Sequence, residues 1–151
     1  STPQLTYLQR YFPNIFANQV QFSLGHSHLL YEEVIFNNTR SQITDTGFFP
    51  YHQDKEIEIQ IWGPLDQGKY LGEHVENIVL KEKINTLSKK YNTSPEGILL
   101  AWILTVPGNL VPILGSLKRD RVINMLQAFE ITLDRKDWYD LWILALEKKL
   151  P

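Results

Sequence analysis

The chain has 151 residues, 43% of them hydrophobic and 21% charged, which is enough for one domain with a real core. Fifteen Lys and Arg against 17 Asp and Glu leave a formal net charge of -2, so no basic excess is available to release counterions and a nucleic-acid surface is not expected. The absence of cysteine excludes disulfide frameworks, thiol catalysis and Cys-based zinc sites together.

Ser1-Thr2-Pro3 carries no charged-then-apolar leader. The longest apolar run, residues 98–106, is interrupted by Thr105 and is too short for a bilayer. A cytoplasmic protein that does not engage a membrane is therefore expected. The triplets Asn37-Asn38-Thr39 and Asn92-Thr93-Ser94 read as chance matches to a glycosylation pattern.

Thr2-Pro3 reads as an N-cap followed by proline at the first helical position, with Leu5, Leu8 and Phe12 at helical spacing until Pro13-Asn14 stops the helix. Val20, Phe22 and Leu24 then alternate with Gln19, Gln21 and Ser23, the period of a strand. Residues 25–46 are rich in Asn, Ser, Thr and His and read as a long loop with at most a short helix inside it. Compact domains keep such loops mainly where they serve a site. A short helical piece near residues 49–55 precedes a second strand, in which Ile57, Ile59 and Ile61 alternate with Glu58, Gln60 and Trp62 before Gly63-Pro64 ends it.

A glycine-containing loop runs to about Gly72, and Val75, Ile78, Val79, Lys83 and Leu87 trace a helix face as far as Tyr91. Ser94-Pro95 opens a nearly all-apolar helix that Pro107-Gly108-Asn109 ends, and a strand over 110–114 follows. A turn and a helix with Val122, Met125, Leu126 and Phe129 on one stripe come next. Asp134 caps a final helix that aligns Trp138, Leu141, Trp142 and Ala145. No repeat, low-complexity tract or linker divides residues 1–151, which read as a single unit.

This order alternates β and α with connections long enough for parallel strands. Buried parallel strands usually read as continuous apolar runs. Two of these instead carry glutamines and a glutamate on one face, as the lumen face of a barrel would. A closed (β/α)8 barrel needs eight strands and typically ~250 residues. The chain therefore reads either as a small open α/β sheet or as part of a barrel.

The strand-turn-helix segment from Val111 to Arg121 carries the strongest chemical signal. Gly115, Ser116 and the cations Lys118, Arg119 and Arg121 precede a helix whose first-turn N–H groups and dipole favour an anion. Ser116 has a hydroxyl to donate to a phosphate oxygen, and Arg121 a fork to clamp one. The alternative is a surface turn whose charges are simply solvated.

Three segments together resemble an aldo-keto reductase of the bacterial branch. They are Asn18-Gln19-Val20-Gln21-Phe22-Ser23-Leu24, Trp62-Gly63-Pro64-Leu65, and Pro112-Ile113-Leu114-Gly115-Ser116 with Arg121 five positions on. Their order is that of the sixth, seventh and eighth barrel strands and the turns after them. Ser94-Pro95 before Ala101-Trp102-Ile103-Leu104, and the closing Leu133-Asp134-Arg135-Lys136-Asp137-Trp138-Tyr139, extend the similarity over essentially the whole chain. The resemblance implies a partial (β/α)8 barrel of about three parallel strands with flanking helices, the C-terminal half alone. It implies NADP as cofactor, a small carbonyl substrate, and an N-terminal half or a second copy as partner.

By the same resemblance, Gln19 would reach the nicotinamide carboxamide and Trp62 would stack on its ring. Gly63, Pro64 and Leu65 would pass beneath the pyrophosphate, and Ser116 and Arg121 would hold the adenosine 2′-phosphate. Many relatives carry lysine where this chain has Gly115, with Lys118 as a nearby substitute. Asn124-Met125 replaces a frequent Glu-Asn pair, and Gly63 a frequent serine, so a weakened cofactor grip is expected. The family's catalytic aspartate, tyrosine, lysine and histidine lie on the first four strands, which have no counterpart here. The chain alone should therefore lack reductase activity, since hydride transfer has no acid to complete it. The rival expectation is a non-catalytic half-barrel that self-associates, and a third is another phosphate-handling barrel such as an isomerase or lyase.

His26 and His28, with His52 and His74 elsewhere, lack a convincing third metal ligand; a place beside a substrate mouth fits the first two better. Tyr7, Tyr51, Tyr91 and Tyr139 read as packing, as do Trp102, Trp138 and Trp142. Trp62 alone of the four tryptophans ends a strand beside a glycine-containing loop.

Overall fold

A computed structural model describes residues 1–35, 47–73, 75–146 and 150. In chain order the elements are α1 (Thr2–Gln9), β1 (Ala17–Gln21), α2 (His28–Ile35), α3 (Phe48–Asp54), β2 (Glu58–Trp62), a 3-10 turn (Asp66–Gly68), α4 (Ile78–Lys90), α5 (Pro95–Leu104), β3 (Leu110–Pro112), α6 (Arg119–Leu126), a 3-10 turn (Gln127–Glu130) and α7 (Arg135–Leu146). The three strands form one parallel sheet in the order β1-β2-β3. Gln19 faces Gln60 and Gln21 faces Trp62 across the first pair, and Gln60 faces Val111 across the second.

The alternation in β2 sorts the two faces of the sheet. Ile59 and Ile61 are buried in a core shared with Phe22, Leu24, Leu80, Ile84 and the apolar residues of α5, while Glu58, Gln60 and Trp62 point the other way. Helix α5 is buried over most of its circumference, from Gly97 to Ile103. Trp102 and Trp138 stack with centroids 5.2 Å apart and planes within 5°. Each indole N–H donates to the other residue's backbone carbonyl, at 3.2 Å and 2.9 Å. This satisfies two polar groups inside an apolar cluster. Trp142 completes the group and donates to the buried hydroxyl of Ser27 at 2.9 Å.

Several sequence expectations shift. The first helix begins at Thr2 with Ser1 as its N-cap, and only Leu5 of its stripe is buried; Leu8 and Phe12 are exposed because no described element covers that side. The 25–46 segment does contain the one short helix allowed for, α2; residues 36–46, with the Asn37-Asn38-Thr39 triplet, lie outside the described residues. The helix read from Val75 begins at Ile78, capped by the Asn77 side chain accepting from the Leu80 N–H at 2.9 Å. That start sets the phase to Leu80, Ile84 and Leu87, leaving Ile78 and Val79 in solvent. In α6 the buried stripe runs through Val122 and Met125 into Ala128, because the helix tightens to 3-10 after Leu126 and turns Leu126 and Phe129 outward. The third strand pairs only over Leu110–Pro112.

Helices α4 and α7 are joined by a charge network around Asp137, a carboxylate only 6% exposed. Lys90 Nζ lies 2.5 Å and Lys83 Nζ 3.3 Å from it, and the Tyr91 hydroxyl donates to it at 3.0 Å. Asp134 caps α7 by accepting from the Asp137 N–H at 2.9 Å and also pairs with Lys90 at 2.6 Å. Burial pushes the Asp137 carboxyl upward, but the bonds from Lys90, Tyr91 and Lys83 outweigh it and leave its pKa below the ordinary carboxylate value. Hydrogen bonds from Lys90 and from the Asp137 backbone hold Asp134 well below that value too. Both folded pKa values are depressed, so this stability is complete above the unfolded carboxylate pKa of about 4 and is lost as pH falls through the folded values. Asp137→Ala should cost about 2–3 kcal/mol in urea denaturation at neutral pH, since three donors then lose a charged acceptor. Asp137→Asn should flatten the acid limb of the stability profile, read as unfolding midpoint against pH.

Candidate functional site

All three strands run in the same direction, so their C-terminal ends share one edge of the sheet. In open parallel sheets and in barrels this is the edge where ligands gather. On the face turned away from the helices a polar row crosses the strands. Gln19 Nε2 donates to Gln60 Oε1 at 3.3 Å, and Gln60 Nε2 donates to Glu58 Oε1 at 2.9 Å. Trp62 closes this face at the C-terminal end of β2 and is 45% exposed. The phase inferred from sequence, Trp62 on the side of Glu58 and Gln60, is the one observed.

Directly after Trp62 the chain turns through Gly63 at φ 65°, a left-handed conformation that costs glycine little. Asp66, Gln67 and Gly68 follow with φ of 49°, 56° and 82°, three successive left-handed residues of which two bear side chains. Such backbone persists only where its surroundings hold it. Here the holding contact is Gly25, just beyond β1. A Cβ there would lie 2.2 Å from the Tyr70 hydroxyl and 2.6 Å from Asp66 Oδ2, so a larger residue would push both side chains of the loop aside.

The other side of this loop borders a cleft of about 590 Å³, within the size range of small-molecule sites. Gly63, Pro64, Leu65, Gly115, Ser116 and Arg121, all singled out in the sequence, line it together. Ser116 Oγ accepts from the Lys118 N–H at 3.2 Å, which leaves its own proton to donate. Arg121 sits in the first turn of α6, exposed and in no ion pair among the described residues. The remaining singled-out residues stand elsewhere. Gln19 and Trp62 occupy the sheet face, and the exposed Lys118 does not line the cleft but contributes its backbone N–H to Ser116. Among the described residues a guanidinium in no ion pair, a hydroxyl with its proton to donate and a side-chain-free Gly115 thus surround one cavity, a donor set suited to an anion.

The cleft also includes groups not anticipated as lining: Gln67, Gly68, Leu71, Gly72, the buried Met125 and, from α5, Glu96. A signal for Glu96 existed in the Ser94-Pro95 helix start. A helix leading back into a parallel strand runs against the sheet, so its N-terminus lies at the ligand edge.

His26 and His28 follow β1 with rings 4.6 Å apart and perpendicular. Burial lowers the His26 pKa, His28 adds to the effect, and Asp66 opposes it. Among the described residues no group of three or more His, Asp or Glu is arranged to hold a metal ion. His74 lies outside the described residues. His52 is buried, its Nδ1 2.7 Å from the Phe48 carbonyl and its Nε2 2.9 Å from Asn18 Nδ2. A carbonyl only accepts, so Nδ1 carries the proton and Nε2 takes one from Asn18. No helix among the described residues is long and apolar enough to cross a membrane.

Curated relatives share this sequence in part. A 6-dehydroglucose reductase of Agrobacterium fabrum is 29% identical over 111 residues, 71% of this chain and 36% of that protein. The oxidoreductase YdhF of Escherichia coli is 26% identical over 150 residues, 98% of this chain and 45% of that protein. Among solved structures, a thermostable aldo-keto reductase, Tm1743, crystallised with the inhibitor epalrestat, aligns with a TM-score of 0.59 at 22% identity, over 85% of this chain and 39% of that one. An aldo/keto reductase of Klebsiella pneumoniae in complex with NADP and acetate aligns with a TM-score of 0.59 at 19% identity, over 83% and 38%. The three-stranded sheet thus has the fold of part of a (β/α)8 barrel, and the chain spans less than half the length of these relatives. The Aldo/keto reductase family model matches residues 9–144, and the chain belongs to that family.

Proposed function

We propose that residues 1–151 form the C-terminal, cofactor-cleft half of an NADP-dependent aldo-keto reductase, whose complete barrel reduces a small carbonyl compound reversibly to an alcohol. The observation that carries this reading is the convergence of Gly63, Pro64, Leu65, Gly115, Ser116 and Arg121 on one cleft beside the exposed face of Trp62. Bound there, NADPH would supply the hydride and this chain would supply position. Gln19 would accept from and donate to the nicotinamide carboxamide, Trp62 would hold the ring by stacking, and the Gly63–Leu65 turn would let the pyrophosphate approach the backbone. Ser116 and Arg121 would hold the 2′-phosphate through a hydroxyl donor and a bidentate fork. A Klebsiella pneumoniae relative solved with NADPH supports the cofactor class.

The proton donor and the groups that tune it belong to the N-terminal half. With NADPH and a reactive aldehyde, the 151-residue chain should therefore give no turnover above the uncatalysed rate; robust steady-state reduction would refute this division of labour. Arg121→Ala should weaken NADPH binding about tenfold or more, as expected for a lost charged bidentate contact, while leaving NADH nearly unchanged in calorimetric titration.

A second reading, a non-catalytic half-barrel that self-associates, is favoured by the two open sheet edges and by exposed apolar side chains. Among the described residues β1 and β3 are each paired on one side only. Beside β1, Tyr11 and Phe12 are 64% exposed and Phe16 is 78% exposed; in the 3-10 turn after α6, Phe129 is 70% exposed. Open edges and apolar patches of this kind call for a cover, either the N-terminal half or a second copy. Light scattering across a concentration series should show chains associating, and addition of a separately produced N-terminal half should replace that self-association with a one-to-one complex.

A further inference from the structure

The cleft that holds Arg121 and Ser116 also holds a carboxylate, Glu96, in the first turn of α5. We propose that Glu96 is a specificity-determining residue that opposes Arg121, so that the adenosine end of the cleft accepts a free ribose diol as well as a 2′-phosphate. This rests on the cofactor-cleft reading above.

The backbone that carries Glu96 is firmly placed. Ser94 caps α5 by accepting from the Gly97 N–H at 3.0 Å, and donates its own proton to the Asn124 carbonyl of α6 at 2.8 Å. The Ser94 N–H donates to Gln127 Oε1 at 2.7 Å. A Cβ at Gly97 would lie 2.4 Å from Thr93 Oγ1, so a larger residue would displace the turn that leads into α5, while the Asn124 carbonyl of α6 stands at contact distance, 3.4 Å. The start of α5 is thereby pinned to the helix that carries Arg121 and Met125. Glu96 itself is half-buried and makes no hydrogen bond or ion pair among the described residues, which leaves both carboxylate oxygens to accept.

The charge balance follows from the lining. Gly115 brings no side chain, Lys118 and Arg119 face solvent outside the cleft, and among the described residues the charged groups lining it are Arg121 and Glu96. A 2′-phosphate monoester carries about -1.5 to -2 at neutral pH, so Arg121 attracts it and Glu96 repels it. A vicinal diol carries no charge and donates two hydrogen bonds, which a carboxylate accepts well. A cleft with one group of each kind discriminates weakly between the two.

Titration calorimetry of the 151-residue chain with adenosine 2′,5′-bisphosphate and with adenosine 5′-monophosphate tests this, because both probes occupy only the end built by these residues. The parent chain should bind the two within about tenfold of each other. Glu96→Gln should shift their affinity ratio toward the bisphosphate by about fivefold or more, the scale of one screened charge pair at contact. A general loosening of α5 would weaken both probes together and leave the ratio unmoved. Binding of both probes with a ratio unchanged by Glu96→Gln overturns the proposal while sparing the cofactor cleft. Binding of neither probe overturns the cleft reading, and the proposal with it.

Discussion

A helix that is apolar on every face has to be surrounded, and the rest of this fold is arranged around that requirement in α5. Its burial from Gly97 to Ile103 brings β3, α4, α6 and α7 against it from different sides. The reciprocal bonds between Trp102 and Trp138 are the most specific part of that packing. Two indoles in parallel contact bury a large area, but each also brings a donor that would be costly to leave unpaired. Exchanging those donors with each other's main chain fixes the register of α7 on α5. The Lys83, Lys90 and Asp137 network then ties α7 to α4 from the outer side, where partial solvation keeps the ion pairs inexpensive.

The same packing builds the cleft. Because α5 leads directly into β3, its N-terminus lies at the edge where the strands end, and the hydrogen bonds from Ser94 to the Asn124 carbonyl and to Gln127 hold α6 alongside it. The loop after β2 forms the opposite wall. Its three left-handed residues rest on Gly25, so one glycine beyond β1 positions a wall that begins after β2. The cleft is thus bounded by segments from residues 63–72, 96 and 115–125, which no local stretch of sequence unites.

Strand alternation was the most reliable guide in the sequence. The period-two pattern at Ile57, Ile59 and Ile61 assigns Trp62 to the polar face with Gln60 and Glu58 whatever the helices do, because side chains on a pleated strand must alternate. The cap-then-proline start at Ser94-Pro95 was equally local and equally sound. Helix stripes were less secure. In α4 the reading was spoiled by its starting point, since moving the cap to Asn77 rotates the buried face to Leu80, Ile84 and Leu87. In α6 it was spoiled by a change of helix type after Leu126, which no spacing rule reports.

The sequence by itself determined the order of elements, the parallel connection of the strands, the polar face carrying Gln19 and Trp62, and the strand-turn-helix unit with Ser116 and Arg121 at its turn. Each of these is set by backbone geometry or by side-chain chemistry within a few neighbouring residues. Tertiary structure alone decided that Glu96 shares a cleft with Arg121, that Lys118 stands outside it, and that Gly25 supports the loop after β2. These depend on which helix faces which strand end, and on how closely two backbones approach, distances that arise only once the apolar surfaces of separate segments have been packed together.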